Sequence, residues 1–81
     1  MIEEIAFRRM DIRLAQKLLD LAKNGVVEAT HQQMAAELGT AREVVSRQLS
    51  EFQRRELVAQ SRGEIRILNR KALEELAGKD R

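Results

Sequence analysis

The 81-residue chain has no cysteine and only one histidine. Disulfides and thiolate metal sites are therefore excluded, and one imidazole cannot assemble a conventional zinc site by itself. No apolar run approaches the roughly 20 residues needed to span a bilayer, and the first residues carry no signal-peptide pattern. A soluble cytoplasmic protein with no membrane partner is the expectation. The length fits one domain that buries about two-thirds of the surface its unfolded form exposes, which leaves no room for a deep substrate cleft. An excess of either charge is also lacking: 15 Lys/Arg against 13 Asp/Glu leave a net charge of +2. It is unevenly placed, with five Lys/Arg against six Asp/Glu in residues 1–37 and ten against seven in residues 38–81. That asymmetry permits nucleic-acid binding without demanding it.

The informative stretch is THQQMAAELGTAREVVSRQL, residues 30–49. Thr30 is followed three residues later by Gln33, and Thr40 three residues later by Glu43. Each pair has the capping-box spacing, in which a hydroxyl accepts from a first-turn N–H and the longer side chain reaches back to the cap. Gly39 lies between the two starts, where a positive φ ends a helix without steric cost. A short helix over 30–38, a tight turn and a longer helix over 40–55 form a helix-turn-helix pattern. Met34, Ala35 and Leu38 give the first helix an apolar stripe, and Val45, Leu49 and Phe52 do the same for the second. The opposite face of the second helix carries Arg42, Glu43, Ser46, Arg47 and Ser50.

The flanks complete a small domain. Asp11 is a plausible N-cap for a helix over 11–23, with Ile12, Ala15, Leu18, Leu19 and Ala22 as its apolar face, broadened by Leu14 and Leu21. Asn24-Gly25 ends that helix. Val26 to Ala29 reads as a brief strand pairing with a later hairpin, which spans 57–68 and turns at Arg62-Gly63. Asn69 caps a last helix with Leu73 and Leu76 facing inward, and Gly78 to Arg81 is a polar end. The fold class is thus mainly α with a small antiparallel β wing.

The run LGTAREVVSRQLSEFQRRELV, with SRGEIRIL and the helix after it, resembles the C-terminal winged helix-turn-helix DNA-binding domain of the Crp/FNR transcription regulators. The resemblance extends from about Ala6 to Ala77. It implies that residues 1–10 are the tail of a dimerisation helix and hinge, with Phe7 packing on the domain. Residues 11–81 would be the DNA-binding domain, acting as a homodimer on double-stranded DNA. Any effector would bind a separate N-terminal domain, so no cofactor is expected in this chain. RNA polymerase is implied as a further partner, although the connection that carries its surface in well-studied members is longer than residues 26–29 here.

By resemblance, Arg42, Glu43 and Arg47 read bases, with Ser46 beside them. The chemistry agrees: Arg can donate to O6 and N7 of guanine, and Glu can accept from N4 of cytosine. Glu43 and Arg47, four residues apart, could also form a surface ion pair. Glu43-x-x-Ser46-Arg47 looks like the FNR branch and TTGAT-like half-sites, whereas Arg42 is Crp-like. Val44 could meet a thymine methyl, and Ala41 lacks the hydroxyl that the family often places there. The backbone or auxiliary positions are Thr30, His31 and Gln32 at a helix N-terminus, Thr40, Val44 and Ser50 on the second helix, and Arg62 at the wing tip. Arg8 and Arg9 could also face phosphate, while Arg54 and Arg55 suit the negative end of their helix.

Three functions compete at this point: a sequence-reading regulator, a winged-helix protein-interaction module without DNA binding, and an enzyme. An interaction module would tend to present an apolar patch where the polar face of 42–50 lies. An enzyme needs a nucleophile–base pair, a metal cluster or a phosphate-cradling loop, and none is legible.

Overall fold

The computed structural model describes residues 2–78, and the side chains of residues 10–78. The chain forms α1 (Ile2–Leu21), β1 (Val26–Val27), α2 (His31–Leu38), α3 (Arg42–Arg54), β2 (Val58–Ser61), β3 (Glu64–Ile67) and α4 (Arg70–Ala77). The side chains of Phe7, Arg8 and Arg9, and residues 79–81, lie outside the described residues.

The first helix does not begin at Asp11. It runs unbroken from Ile2 to Leu21, because residues 2–10 contain neither Gly nor Pro and are mostly good helix formers. Asp11 lies inside this helix and is not a cap: its carboxylate accepts from the adjacent Ile12 N–H at 2.8 Å, not from the second or third N–H that a cap engages. Leu14, Ala15 and Leu18 form the buried stripe of α1. Leu14 is central rather than peripheral, while Ile12, Leu19, Leu21 and Ala22 are half-buried. The helix also ends two residues earlier than expected. Lys23 and Val26 exchange backbone hydrogen bonds of 2.8 and 3.1 Å, and Asn24 and Gly25 both take positive φ, 57° and 79°. Two consecutive positive φ values are the signature of a two-residue hairpin turn. Asn24-Gly25 therefore makes a tight turn into β1 rather than a helix cap.

The sheet has the order β1-β3-β2, all antiparallel. In the hairpin Val58 pairs with Ile67 and Gln60 with Ile65, so the period-two pattern places Ile65 inward and Arg66 outward. Gly63 turns the tip with φ 67°. One core joins all layers: Leu14 and Leu18 of α1, Met34 and Leu38 of α2, Val45, Leu49 and Phe52 of α3, Val27, Val58 and Ile65 of the sheet, and Leu73 of α4. Asn69 caps α4 as expected, accepting from the Ala72 N–H at 3.1 Å.

Candidate nucleic-acid interface

The first capping box is present. Thr30 Oγ1 accepts from the Gln33 N–H at 3.1 Å, and the Thr30 N–H donates to Gln33 Oε1 at 2.8 Å. The second is not. The N-cap of α3 is Ala41, with no side-chain cap bond. Thr40 is consumed one step earlier: its N–H donates to the Ala35 carbonyl at 3.0 Å while Gly39 sits at φ 70°. That closure is the end of α2, so α3 starts at Arg42 rather than Thr40 and stops at Arg54. Glu43 is left outside any box, in the first turn, where its charge still suits the helix dipole. Arg13 strengthens the end of α2 from afar by donating to the Leu38 carbonyl at 2.9 Å.

These ends fix how α3 is presented. Val45, Leu49 and Phe52 are almost fully buried, which turns Arg42, Glu43, Arg47 and Ser50 to solvent. Ser46 and Val44 are half-buried at the margin of that face. The ion pair between Glu43 and Arg47 does not form; the ion pairs on α3 involve Glu51 instead, with Arg54 at 2.8 Å and Arg55 at 3.4 Å. The hydrogen bond from Arg54, with the charges of both arginines adding to it, holds the Glu51 carboxyl below its ordinary range against the opposing effect of desolvation.

The arginines with described side chains divide by use. Arg13 bonds a carbonyl, and Arg54, Arg55 and Arg70 hold carboxylates. Arg42 and Arg47 on the first half of α3, and Arg62 and Arg66 on the hairpin, are exposed and make no ion pair among the described residues. Guanidinium groups that satisfy no partner within the protein are available to one outside it. Gln32 and Thr30 are exposed at the start of α2.

His31 is placed differently from a phosphate-facing side chain. It is half-buried, with Nδ1 2.7 Å from Ser46 Oγ and Nε2 2.5 Å from Gln60 Oε1. Gln60 in turn donates to Gln53 Oε1 from its side-chain amide at 3.1 Å and from its backbone N–H at 3.3 Å. The row Ser46–His31–Gln60–Gln53 thus ties α2, α3 and the wing together. Gln53 and Gln60 were not singled out from the sequence, although a signal was present. Gln60 lies two residues after buried Val58 and opposite buried Ile65, so a polar side chain stands on the inward face of the strand and needs a partner.

Comparison with known proteins gives this arrangement a family. Residues 12–76 match the model of the Crp-like helix-turn-helix domain. The transcriptional regulator SdrP of Thermus thermophilus is 34% identical over 94% of this chain, which spans 42% of SdrP. A Crp/FNR-family regulator from the same organism superposes with a TM-score of 0.79 at 35% identity, over 94% of this chain and 44% of that one. A putative Crp/FNR-family regulator from Eubacterium rectale gives 0.81 at 40% identity, over 94% and 37%. The chain therefore spans less than half the length of these relatives. It belongs to the Crp/FNR family of transcription regulators and is a winged helix-turn-helix domain of the Crp-like type.

Proposed function

We propose that this chain is the sequence-specific DNA-binding domain of a transcription regulator, with α3 entering the major groove and the wing meeting the phosphate backbone. The observation that carries the reading is the division of arginines described above. The unpaired ones lie on the first half of α3 and on the hairpin, the two elements a winged helix-turn-helix lays on a duplex. Arg42, Glu43, Ser46 and Arg47 are the base-reading set, since Arg donates to guanine and a carboxylate accepts from cytosine. A carboxylate on this face repels phosphate, so Glu43 favours reading over general adhesion. Thr30, Gln32, Thr40, Ser50 and Arg62 are assigned to the backbone, and Val44 to a thymine methyl.

The α-helix that starts at Ile2 supports residues 1–10 as the end of a dimerisation helix. Two copies would then place one α3 in each of two successive grooves of a two-fold site. An effector domain preceding this segment fits the relatives, among them a CO-sensing protein of R. rubrum at 26% identity.

The test is selection from a randomised duplex pool at low and physiological salt, with wild type beside Arg47→Ala. Enrichment of a GA-containing half-site, relaxed at one guanine by Arg47→Ala with a loss of about 1–3 kcal/mol, supports the reading. Equal loss on specific and random duplexes would contradict base reading by Arg47. Absence of binding even at low salt would favour a protein-interaction module.

A further inference from the structure

We propose that His31 is a positioning residue that sets the hydrogen-bonding sense of Ser46, and so decides which kind of base edge Ser46 accepts. The inference rests on the DNA-reading function proposed above. Its starting point is a backbone group, whose donor character cannot be reversed. The Gln60 N–H donates to Gln53 Oε1, which fixes the orientation of the Gln53 amide. Gln60 must then offer its NH2 to the same oxygen, as it does at 3.1 Å. Its own carbonyl oxygen is thereby turned to His31 Nε2, 2.5 Å away. An amide oxygen only accepts, so Nε2 carries a proton whatever the charge of the ring.

The consequence falls on Nδ1, 2.7 Å from Ser46 Oγ. In the neutral ring Nδ1 is bare, and the Ser46 hydroxyl donates to it. The outward side of Ser46 then offers lone pairs, which suit an amine edge: N4 of cytosine or N6 of adenine. In the protonated ring Nδ1 donates, Ser46 accepts, and the hydroxyl proton is released outward. It then suits O4 of thymine or O6 and N7 of guanine. Ser46 is half-buried beside exposed Glu43 and Arg47, so a reversal of one hydroxyl occurs at the margin of the reading face. The ionisable groups on the surrounding elements are Glu28 before α2, Glu37 on α2, Arg42, Glu43, Arg47, Glu51 and Arg54 on α3, and Arg62, Glu64 and Arg66 on the hairpin. Among the described residues none of them forms an ion pair with the imidazole.

The test has two arms on this chain. The first is ¹⁵N NMR of the imidazole in the free protein at about pH 8.5, above the usual imidazole range. The Nε2–H tautomer is expected, and an Nδ1–H tautomer would overturn the proposal. The second is low-salt selection from a randomised duplex pool at the same pH, with wild type beside His31→Gln, His31→Leu and Ser46→Ala. Wild type should prefer an amine edge at one base pair. His31→Gln supplies a fixed donor and a fixed acceptor and should keep that preference, whereas His31→Leu removes the acceptor that Ser46 donates to and should weaken it about fivefold, the effect of one hydrogen bond of about 1 kcal/mol. Ser46→Ala should abolish it. An unchanged preference in His31→Leu, or one that survives in Ser46→Ala, overturns the inference while leaving DNA reading intact. No sequence preference in wild type would overturn the DNA-reading function and this inference together.

Discussion

Two residues of this chain close helices in the same left-handed conformation, and only one of them is glycine. Gly39 ends α2 at φ 70°, and Glu56 follows α3 at φ 62°. Each is embedded in the same closure. The Thr40 N–H donates to the Ala35 carbonyl across Gly39, and the Leu57 N–H donates to the Phe52 carbonyl at 2.9 Å across Glu56. An L side chain in this region costs about 1–2 kcal/mol, and the unfolded chain loses about 0.4–1 kcal/mol worth of freedom when glycine gains a Cβ. A Cβ built on Gly39 meets nothing within 4 Å, so Gly39→Ala carries the backbone cost alone. Destabilisation by about 1 kcal/mol is expected from the difference. Glu56→Gly runs the argument in reverse. It relieves the same strain and removes a carboxylate from the negative end of α3, a further gain of about 0.3 kcal/mol. Glu56 is exposed and holds no ion pair among the described residues, so little is lost in exchange. Stabilisation by about 0.5–1 kcal/mol is expected. For a domain of this size each kcal/mol moves Tm by about 4–8 °C, so thermal and urea unfolding followed by circular dichroism should separate the two variants in opposite directions. A neutral Gly39→Ala, or a Glu56→Gly that unfolds more readily than wild type, would refute the conformational reasoning.

Leu49→Ala should cost about 2–5 kcal/mol, because Leu49 is fully buried where α3 meets the core; urea unfolding measures it, and a loss under about 1 kcal/mol would contradict the packing. Arg62→Ala should weaken binding to all duplexes alike and reduce the slope of log affinity against log salt by about one contact; an unchanged slope removes the wing tip from the interface. Glu51 has a folded pKa lowered from 4.5, first by the hydrogen bond from Arg54. Its stabilising contribution is therefore complete above about pH 4.5 and is lost as pH falls through the lower folded value. Tm measured from about pH 3 to 5 should fall less steeply for Glu51→Gln than for wild type, and parallel curves would show that the Glu51–Arg54–Arg55 group does not contribute.

What the sequence disclosed, and what it withheld, follows from the range of each interaction. Thr30 and Gln33 are three residues apart and answer only to their own turn, so the capping box was legible. Thr40 and Glu43 have identical spacing, yet the box is absent because Thr40 also lies within reach of Ala35. Two local motifs compete for one residue, and the closure of α2 holds the N–H. Asn24-Gly25 failed as a helix end for a related reason: the same positive φ values serve a cap or a hairpin turn, and the pairing of β1 with β3 selects the turn. The buried stripe of α3 was readable from its period, and the exposed face followed from it. The uses of the side chains on that face were not readable. Glu43 and Arg47 are spaced for an ion pair, but Glu51 takes two arginines instead.

His31, Gln53 and Gln60 belong to three elements, and no window of sequence contains them together. One hint was available, since Gln60 lies on the inward side of its strand opposite Ile65. A half-buried polar group there calls for a partner, and Gln60 finds its partners in His31 on α2 and Gln53 on α3. The wing is therefore held to the reading helix by hydrogen bonds rather than by apolar contact alone. Hydrogen bonds fix direction where apolar contact fixes only distance. That difference is what lets a histidine, one layer behind the interface, act on the chemistry of a serine at its edge.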